Sequence, residues 1–257
     1  MTIDFASRHV HIEPVMGTVV SLDARGIDGR VARAAFARVM AWLHDVDRRF
    51  STYREDSEIS RIDRGALAIA AAGEDVRWVL ERCDELRAES GGAFDAWIGR
   101  RCDPSALVKG WAVQRAAALL RAEGLTDFAL NAGGDVVVRG GALPQQTWRV
   151  GIQHPRDRGA VATVIQVSDL AIATSGAYER GAHVLDPRTG APPSGVSSVT
   201  VAGPDLGTAD AYSTAAFALG VDGPAWTLGL AGYEAMTIMA DDSVLCTPGF
   251  PEPAVAA

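Results

Sequence analysis

Apolar positions along the chain keep two different periods, and the changes of period divide it into elements. Over residues 11–23 apolar and polar residues alternate, which predicts one strand ending at Arg25-Gly26. Met16-Gly17-Thr18 lies inside this strand, and a glycine there marks a bulge or a close approach of backbone. From 31 to 49 the apolar residues Val31, Ala35, Val39, Trp42, Leu43 and Val46 fall at helical spacing. Residues 50–61 are polar and predict an irregular segment. Residues 74–90 are helical again, with Val76, Val79, Leu80, Cys83 and Leu86 on one face. Glu74 and Asp75 suit the first turn, and Gly91-Gly92 ends it. A third helix is predicted over 110–121, closing before Gly124.

The second half reads mostly as strands. Residues 128–131 and 136–139 form a hairpin through Ala132-Gly133-Gly134-Asp135. That turn is not the dinucleotide fingerprint G-x-G-x-x-G, since neither the spacing nor a following helix fits. Further strands are predicted at 148–153, 161–167, 170–174, 197–202 and 234–240, with helices at 208–219 and 222–230. Short connections between successive strands imply an antiparallel or mixed sheet. The class is therefore α+β, a mixed or mostly antiparallel sheet with flanking helices. No internal repeat and no linker interrupts the chain, which predicts a single domain over 1–257. Its Pro- and Ala-rich tail, from about residue 248, is expected to be loose.

Composition narrows the function classes. The formal net charge of -8 argues against a nucleic-acid partner, which needs a concentrated basic face. The three cysteines, Cys83, Cys102 and Cys246, have no metal-binding spacing and read as thiols in a reducing compartment. The N-terminal segment lacks the apolar core of a signal peptide, and no run reaches the ~20 apolar residues of a membrane span. A cytoplasmic protein is expected.

Candidate chemistry concentrates between residues 173 and 214. Thr208 is a plausible N-cap for the helix it opens. Asp210 and Thr214 lie four residues apart on one face of that helix. A carboxylate and a hydroxyl there are hard oxygen ligands suited to Mg²⁺; alternatively the Asp favours the helix dipole and the Thr packs. His183 precedes Asp186-Pro187-Arg188 and is either a general base or a structural turn residue. Arg188 either clamps a phosphate or pairs with Asp186 and shapes the turn. Lys109 stands near the predicted start of the third helix, where a lysine opposes the dipole unless an anion binds. Tyr53 either stacks on a ring or is plain surface. His9 and His11 share a strand face as a metal pair or a packed pair, and His44 has no assigned role.

These signals combine into an ordered set: MGT (16–18), STYREDSEIS (51–60), GAFD (92–95), DPSALVKGWAV (103–113), NAGGDV (131–136), ATSGAYER (173–180), HVLDPRTG (183–190) and ADAYSTAAFALG (209–220). The set resembles the ApbE family, the FAD:protein FMN transferases, over nearly the whole chain. The resemblance implies a T-fold-like architecture and FAD as substrate with Mg²⁺ as cofactor. It implies cleavage of the FAD pyrophosphate, release of AMP, and a phosphoester linking FMN to a Thr or Ser of an acceptor protein. Carried over motif by motif, Met16, Tyr53, Ala93, Phe94, Asp95, Asp103, Lys109, Leu185 and Ser213 line the FAD site. Asp210, Thr214 and the backbone carbonyl of Ala106 hold the metal, and His183 deprotonates the acceptor hydroxyl. Two other readings of the same motifs are an FAD pyrophosphatase, with water in place of the acceptor, and a flavin-binding module without catalysis. The chain departs from the family pattern at a short bridge, 96–102, between GAFD and DPSALVKG; at Gly181-Ala182, between SGAYER and HVLDPRTG; and at Gln114, where the family often has Asp.

Overall fold

The computed structural model describes residues 7–99, 101–176 and 184–254. Its elements run β1 (Arg8–Val15), β2 (Thr18–Arg25), α1 (Gly29–Phe50), α2 (Glu58–Asp63), α3 (Glu74–Glu89), β3 (Trp97–Ile98), β4 (Arg101–Cys102) and α4 (Ser105–Ala122). They continue with β5 (Asp127–Ala132), β6 (Asp135–Arg139), β7 (Trp148–His154), β8 (Asp157–Val167), β9 (Ala171–Gly176), β10 (Val196–Gly203), α5 (Leu206–Ala218), α6 (Gly223–Thr227), β11 (Glu234–Met239) and β12 (Val244–Cys246).

One eight-stranded sheet organises them, in the order β1-β2-β5-β6-β9-β10-β11-β12. Every pairing in it is antiparallel. The expected α+β class is what the chain adopts. Period-2 alternation sends Val20, Leu22, Phe128, Leu130, Val199 and Val201 to one face, where they pack against α1, α3, α4 and α5 in the larger core. Val136, Val138, Ile172, Met236 and Ile238 point to the other face and meet Trp148, Ile152 and Ile165 of the separate β7–β8 hairpin. β6 is thus covered on both sides, which is why Asp135, Val136, Val137 and Val138 are all buried.

Several boundaries differ from the sequence expectation, each for a physical reason. The strand expected over 11–23 is a hairpin, with Val15 opposite Thr18. Its two-residue turn holds Met16 at φ 56° and Gly17 at φ 68°, the left-handed pair that matches the twist of the flanking strands. α4 starts at Ser105, so Lys109 lies past its first turn and not at its N-terminus. α5 is capped by Asp205, whose carboxylate accepts from the Thr208 amide at 2.8 Å, so Thr208 is not the cap. The irregular segment contains α2, capped by Ser57. β3–β4 and β12 are additional strands. In the segment from 248, the Ala254 amide donates to the Val164 carbonyl at 2.6 Å, Pro253 bridges to Ile165, and Phe250 packs on the smaller core. Among the described residues, no helix is long and apolar enough to cross a membrane.

The packing that matters for the site is α4 against α5. A Cβ on Gly110 would come within 2.4 Å of the Leu206 carbonyl and 2.9 Å of Asp210 Cβ. Gly207 returns the fit, with the backbone of Trp111 near 3.1 Å from its Cβ position. Only glycine admits such an approach, and it brings Asp210 beside Lys109.

Candidate active site

The end of the sheet carrying the β1–β2 turn, the β5–β6 turn and the end of β9 is roofed by the first half of α4 and the middle of α5. The two turns interlock: the Gly133 amide donates to the Val19 carbonyl at 3.2 Å, and a Cβ on Gly133 would strike Thr18 Oγ1. Beneath the roof lies a cleft of about 580 Å³. Met16, Tyr53, Ala93, Phe94, Asp95, Asp103, Ala106, Lys109, Leu185, Asp210 and Thr214 all line it, so residues scattered over the chain converge on one cavity. Ser213 does not line it. Its side chain is fully buried one layer behind, donating to the Asp210 carbonyl and sharing a 2.9 Å hydrogen bond with Ser175 Oγ. His183 lies outside the described residues.

The floor is polar and closely organised. Lys109 Nζ is 2.5 Å from Asp135 Oδ2 and 3.8 Å from Asp210 Oδ1. Asp135 is fully buried, and its other oxygen accepts from the Thr174 amide at 3.3 Å. The second oxygen of Asp210 accepts from the Gly110 amide at 3.1 Å. Ser175 Oγ also lies 3.1 Å from the Thr214 hydroxyl, linking the end of β9 to α5. Asp135, Thr174 and Ser175 were not among the sequence-predicted site residues. Asp135 stands in NAGGDV and the other two in ATSGAYER, so the signal was present as motif membership without a role.

The mouth mixes exposed rings and aliphatics with carboxylates. Tyr53 is 90% exposed and Ile98, on the β3–β4 hairpin, 45% exposed, although both face the cleft. Asp95 is fixed by Arg87 at 2.9 Å and by the Trp97 amide at 2.8 Å. Asp103 accepts from the Ser105 amide at 3.1 Å, at the start of α4. Gln114 accepts from the Leu206 amide at 3.2 Å and so ties α4 to the first turn of α5.

In the polar turn, the alternative left open for Arg188 is decided by its partner, while that for His183 falls outside the described residues. Arg188 grips Asp186 through two parallel hydrogen bonds of 2.8 Å, which makes it a turn-shaping residue. Those bonds hold the Asp186 carboxyl below the usual carboxylate range and raise the guanidinium above its own. The Arg188 stem lies against Gly92, so this turn abuts the GAFD loop. His9 and His11 are a packed pair: His9 Nε2 donates to the Ile27 carbonyl at 3.1 Å, and His11 Nε2 bonds Glu13 at 2.9 Å. His44 takes the other oxygen of Glu13 at 2.6 Å.

Among the described residues, no three His, Cys, Asp or Glu side chains gather as a metal cluster. The donor set of Ala106, Asp210 and Thr214 nevertheless fits a hard cation: one buried carboxylate, one hydroxyl and one peptide carbonyl belong to residues that line the same cleft. Mg²⁺ is commonly held by one or two carboxylates, with waters and substrate phosphates completing its shell. Charge points the same way. Asp47, Asp95, Asp103 and Asp210 line the cleft against Lys109, the one cationic side chain among its described lining residues. An anionic ligand entering there requires further positive charge.

The fold is shared with solved flavin transferase structures. The flavin transferase ApbE from Vibrio cholerae superposes with a TM-score of 0.84 at 24% identity, covering 95% of this chain and 99% of that one. The ApbE protein from Thermotoga maritima gives 0.85 at 22% identity, covering 95% and 98%. A family model described as the ApbE family matches residues 16–103 and 99–237, and the chain belongs to that family. The two matched segments overlap at residues 99–103, where the short bridge formed by β3 and β4 lies. Among sequence relatives, a FAD:protein FMN transferase of Vibrio cholerae is 27% identical over 278 aligned positions, covering 83% of this chain and 82% of the relative. One from Salmonella typhimurium is 26% identical, covering 80% and 77%. One from Treponema pallidum is 34% identical, covering 66% and 55%.

Proposed function

We propose that this chain is a Mg²⁺-dependent FAD:protein FMN transferase. The observation that carries the reading is the single cleft in which Lys109, Asp210, Thr214 and Ala106 meet below an exposed Tyr53. A ligand with a flat ring at one end and a pyrophosphate in the middle matches a cleft with an exposed aromatic ring at its mouth and a lysine on its floor. The names of the sequence relatives supply the reaction class.

FAD lies with its ring at the mouth, against Tyr53 and the Ala93–Asp95 loop, and its phosphates toward Lys109. The Ala106 carbonyl, Asp210 and Thr214 would hold Mg²⁺, which would supply positive charge against that developing on the phosphate oxygens of the leaving AMP. Lys109 donates to the same phosphates and, anchored on Asp135, needs no reorganisation at the moment of reaction. Ser175 fixes the direction of the Thr214 hydroxyl through their 3.1 Å contact. His183 accepts the proton of an acceptor Thr or Ser. The acceptor oxygen forms a bond to the FMN phosphorus, the bond from that phosphorus to the AMP oxygen breaks, and AMP departs with its electron pair.

The test mixes the protein with FAD, Mg²⁺ and Thr- or Ser-bearing acceptor peptides and reads the peptide mass. An FMN adduct that is lost in Asp210→Asn and His183→Ala, with FAD still bound by the His183→Ala chain, is the expected result. Free FMN and AMP with no adduct on any acceptor would replace the transferase by a hydrolase. Bound FAD that stays intact with Mg²⁺ present would leave a binding module.

A further inference from the structure

Lys109 stands between two carboxylates that have different work to do. Its ammonium is 2.5 Å from Asp135 and 3.8 Å from Asp210, so it is bonded to the first and merely near the second. Asp135 is completely buried at the start of β6 and cannot contact a ligand in the cleft, which it does not line. Its backbone neighbours hold it still, since the Thr174 amide of β9 donates to its other oxygen. Asp210 is held in a parallel way: Oδ2 accepts from the Gly110 amide, leaving Oδ1 as the oxygen that faces the ammonium.

A lysine that closed on Asp210 Oδ1 would neutralise the one carboxylate of the cation-binding set. An ammonium and a divalent ion cannot share that oxygen at close range without repulsion. We infer that Asp135 is a positioning residue that draws the Lys109 ammonium away from Asp210, so that Asp210 accepts the divalent cation while Lys109 remains in the cleft for phosphate. The inference rests on the reading of Ala106, Asp210 and Thr214 as the cation site. It explains why a fully buried carboxylate is retained in a strand whose next three residues are all valine. Burying a charge is costly unless it is paired, and here the pair sets the aim of a side chain that reaches the ligand.

The test measures Mn²⁺ binding to the full chain by electron paramagnetic resonance, without FAD, so that turnover plays no part. Asp135→Asn keeps the size of the side chain and an acceptor for the Thr174 amide, but releases the lysine. Mn²⁺ affinity is expected to fall by about 10–100-fold, the range for residues that orient a ligand set from behind. The double variant Asp135→Asn with Lys109→Met removes the buried carboxylate together with its cationic partner, which favours its folding, and is expected to return Mn²⁺ affinity to the wild-type level. A role confined to structure predicts no recovery. Wild-type affinity in Asp135→Asn, or a double variant as weak as Asp135→Asn, overturns the inference and leaves the cation site standing. A wild-type chain that takes up no Mn²⁺ overturns the cation site as well, which separates the two failures. Should Asp135→Asn not fold, the double variant decides alone: Mn²⁺ binding weaker than wild type refutes the inference.

Discussion

Gly110→Ala is the sharpest test of how the cleft is built, because two principles give it opposite signs. Gly110 sits in the interior of α4, where replacing glycine by alanine stabilises an isolated helix by about 1 kcal/mol. The new Cβ, however, would stand 2.4 Å from the Leu206 carbonyl and 2.9 Å from Asp210 Cβ. Relief to ordinary contact requires α4 and α5 to part by about 1 Å at that point. The obstacle is backbone, so no rotamer change avoids it. Overpacking of this kind costs about 3 kcal/mol at the upper end of its usual range, which leaves a net loss of about 2 kcal/mol after the helix gain. Urea unfolding followed by circular dichroism reads this as a lower midpoint with an unchanged slope, and thermal unfolding as a drop of about 4–8 °C. The separation also withdraws Asp210 and Thr214 from Ala106, so Mn²⁺ affinity is expected to fall even under conditions where the variant is folded. A variant as stable as the wild type or more so would refute the close approach, since helix propensity alone predicts stabilisation.

Three further outcomes follow from single observations. Asp186→Asn removes the carboxylate that Arg188 holds below the usual range. Because that pKa is depressed in the folded state, its stabilisation is present at neutral pH and is lost as pH falls below about 4 and through the lowered folded value. The wild type should therefore exceed Asp186→Asn in urea midpoint at pH 7, and the gap should close in acid; a gap that persists unchanged at pH 3 would contradict the pairing. Thiol labelling under native conditions should proceed quickly at one cysteine, Cys246, because Cys83 and Cys102 are buried and burial pushes the Cys102 thiol up to about 12; mapping by mass spectrometry checks it, and rapid native labelling of Cys83 would sink it. Asp205→Ala deletes the acceptor for the Thr208 amide and should cost about 1 kcal/mol in the same urea assay, with no loss taken as evidence against that cap.

Gly110 also explains what was legible in the sequence and what was not. The long helices α1 and α3 announced themselves because their apolar residues serve one face and glycine or acidic residues mark their ends. The helix expected from Gly110 starts five residues late, which puts Lys109 at a helix start, whereas Gly110 lies inside α4 and serves to let two backbones touch. The first hairpin was hidden as well. Burial falls on odd positions from His9 to Val15 and on even positions from Thr18 to Ala24, a change of phase that betrays a two-residue turn. Read without that phase shift, Gly17 passed for a strand irregularity.

The site residues divide along the same line. Asp210 and Thr214 were readable as a pair because helical spacing alone puts them on one face. Asp135 was not, because nothing local to NAGGDV says that it will face Lys109. That contact needs three separate tertiary facts: α4 continuous through Gly110, α5 laid against it at glycine distance, and β6 paired to β9 so that Asp135 lies beneath both. Each fact depends on small residues whose sequence reading is ambiguous, so the chemistry that depends on them is ambiguous too. The chemistry of the cleft floor is therefore set by the spacing between α4 and α5. Ala106 and Lys109 belong to one helix and Asp210 and Thr214 to the other, and a change in that spacing alters the cation set and the lysine's choice of carboxylate together. Stability at Gly110 and cation affinity at Asp210 should accordingly fall together in any variant that widens the helix contact, whereas Asp135→Asn should lower the affinity while the helix spacing stays as it is.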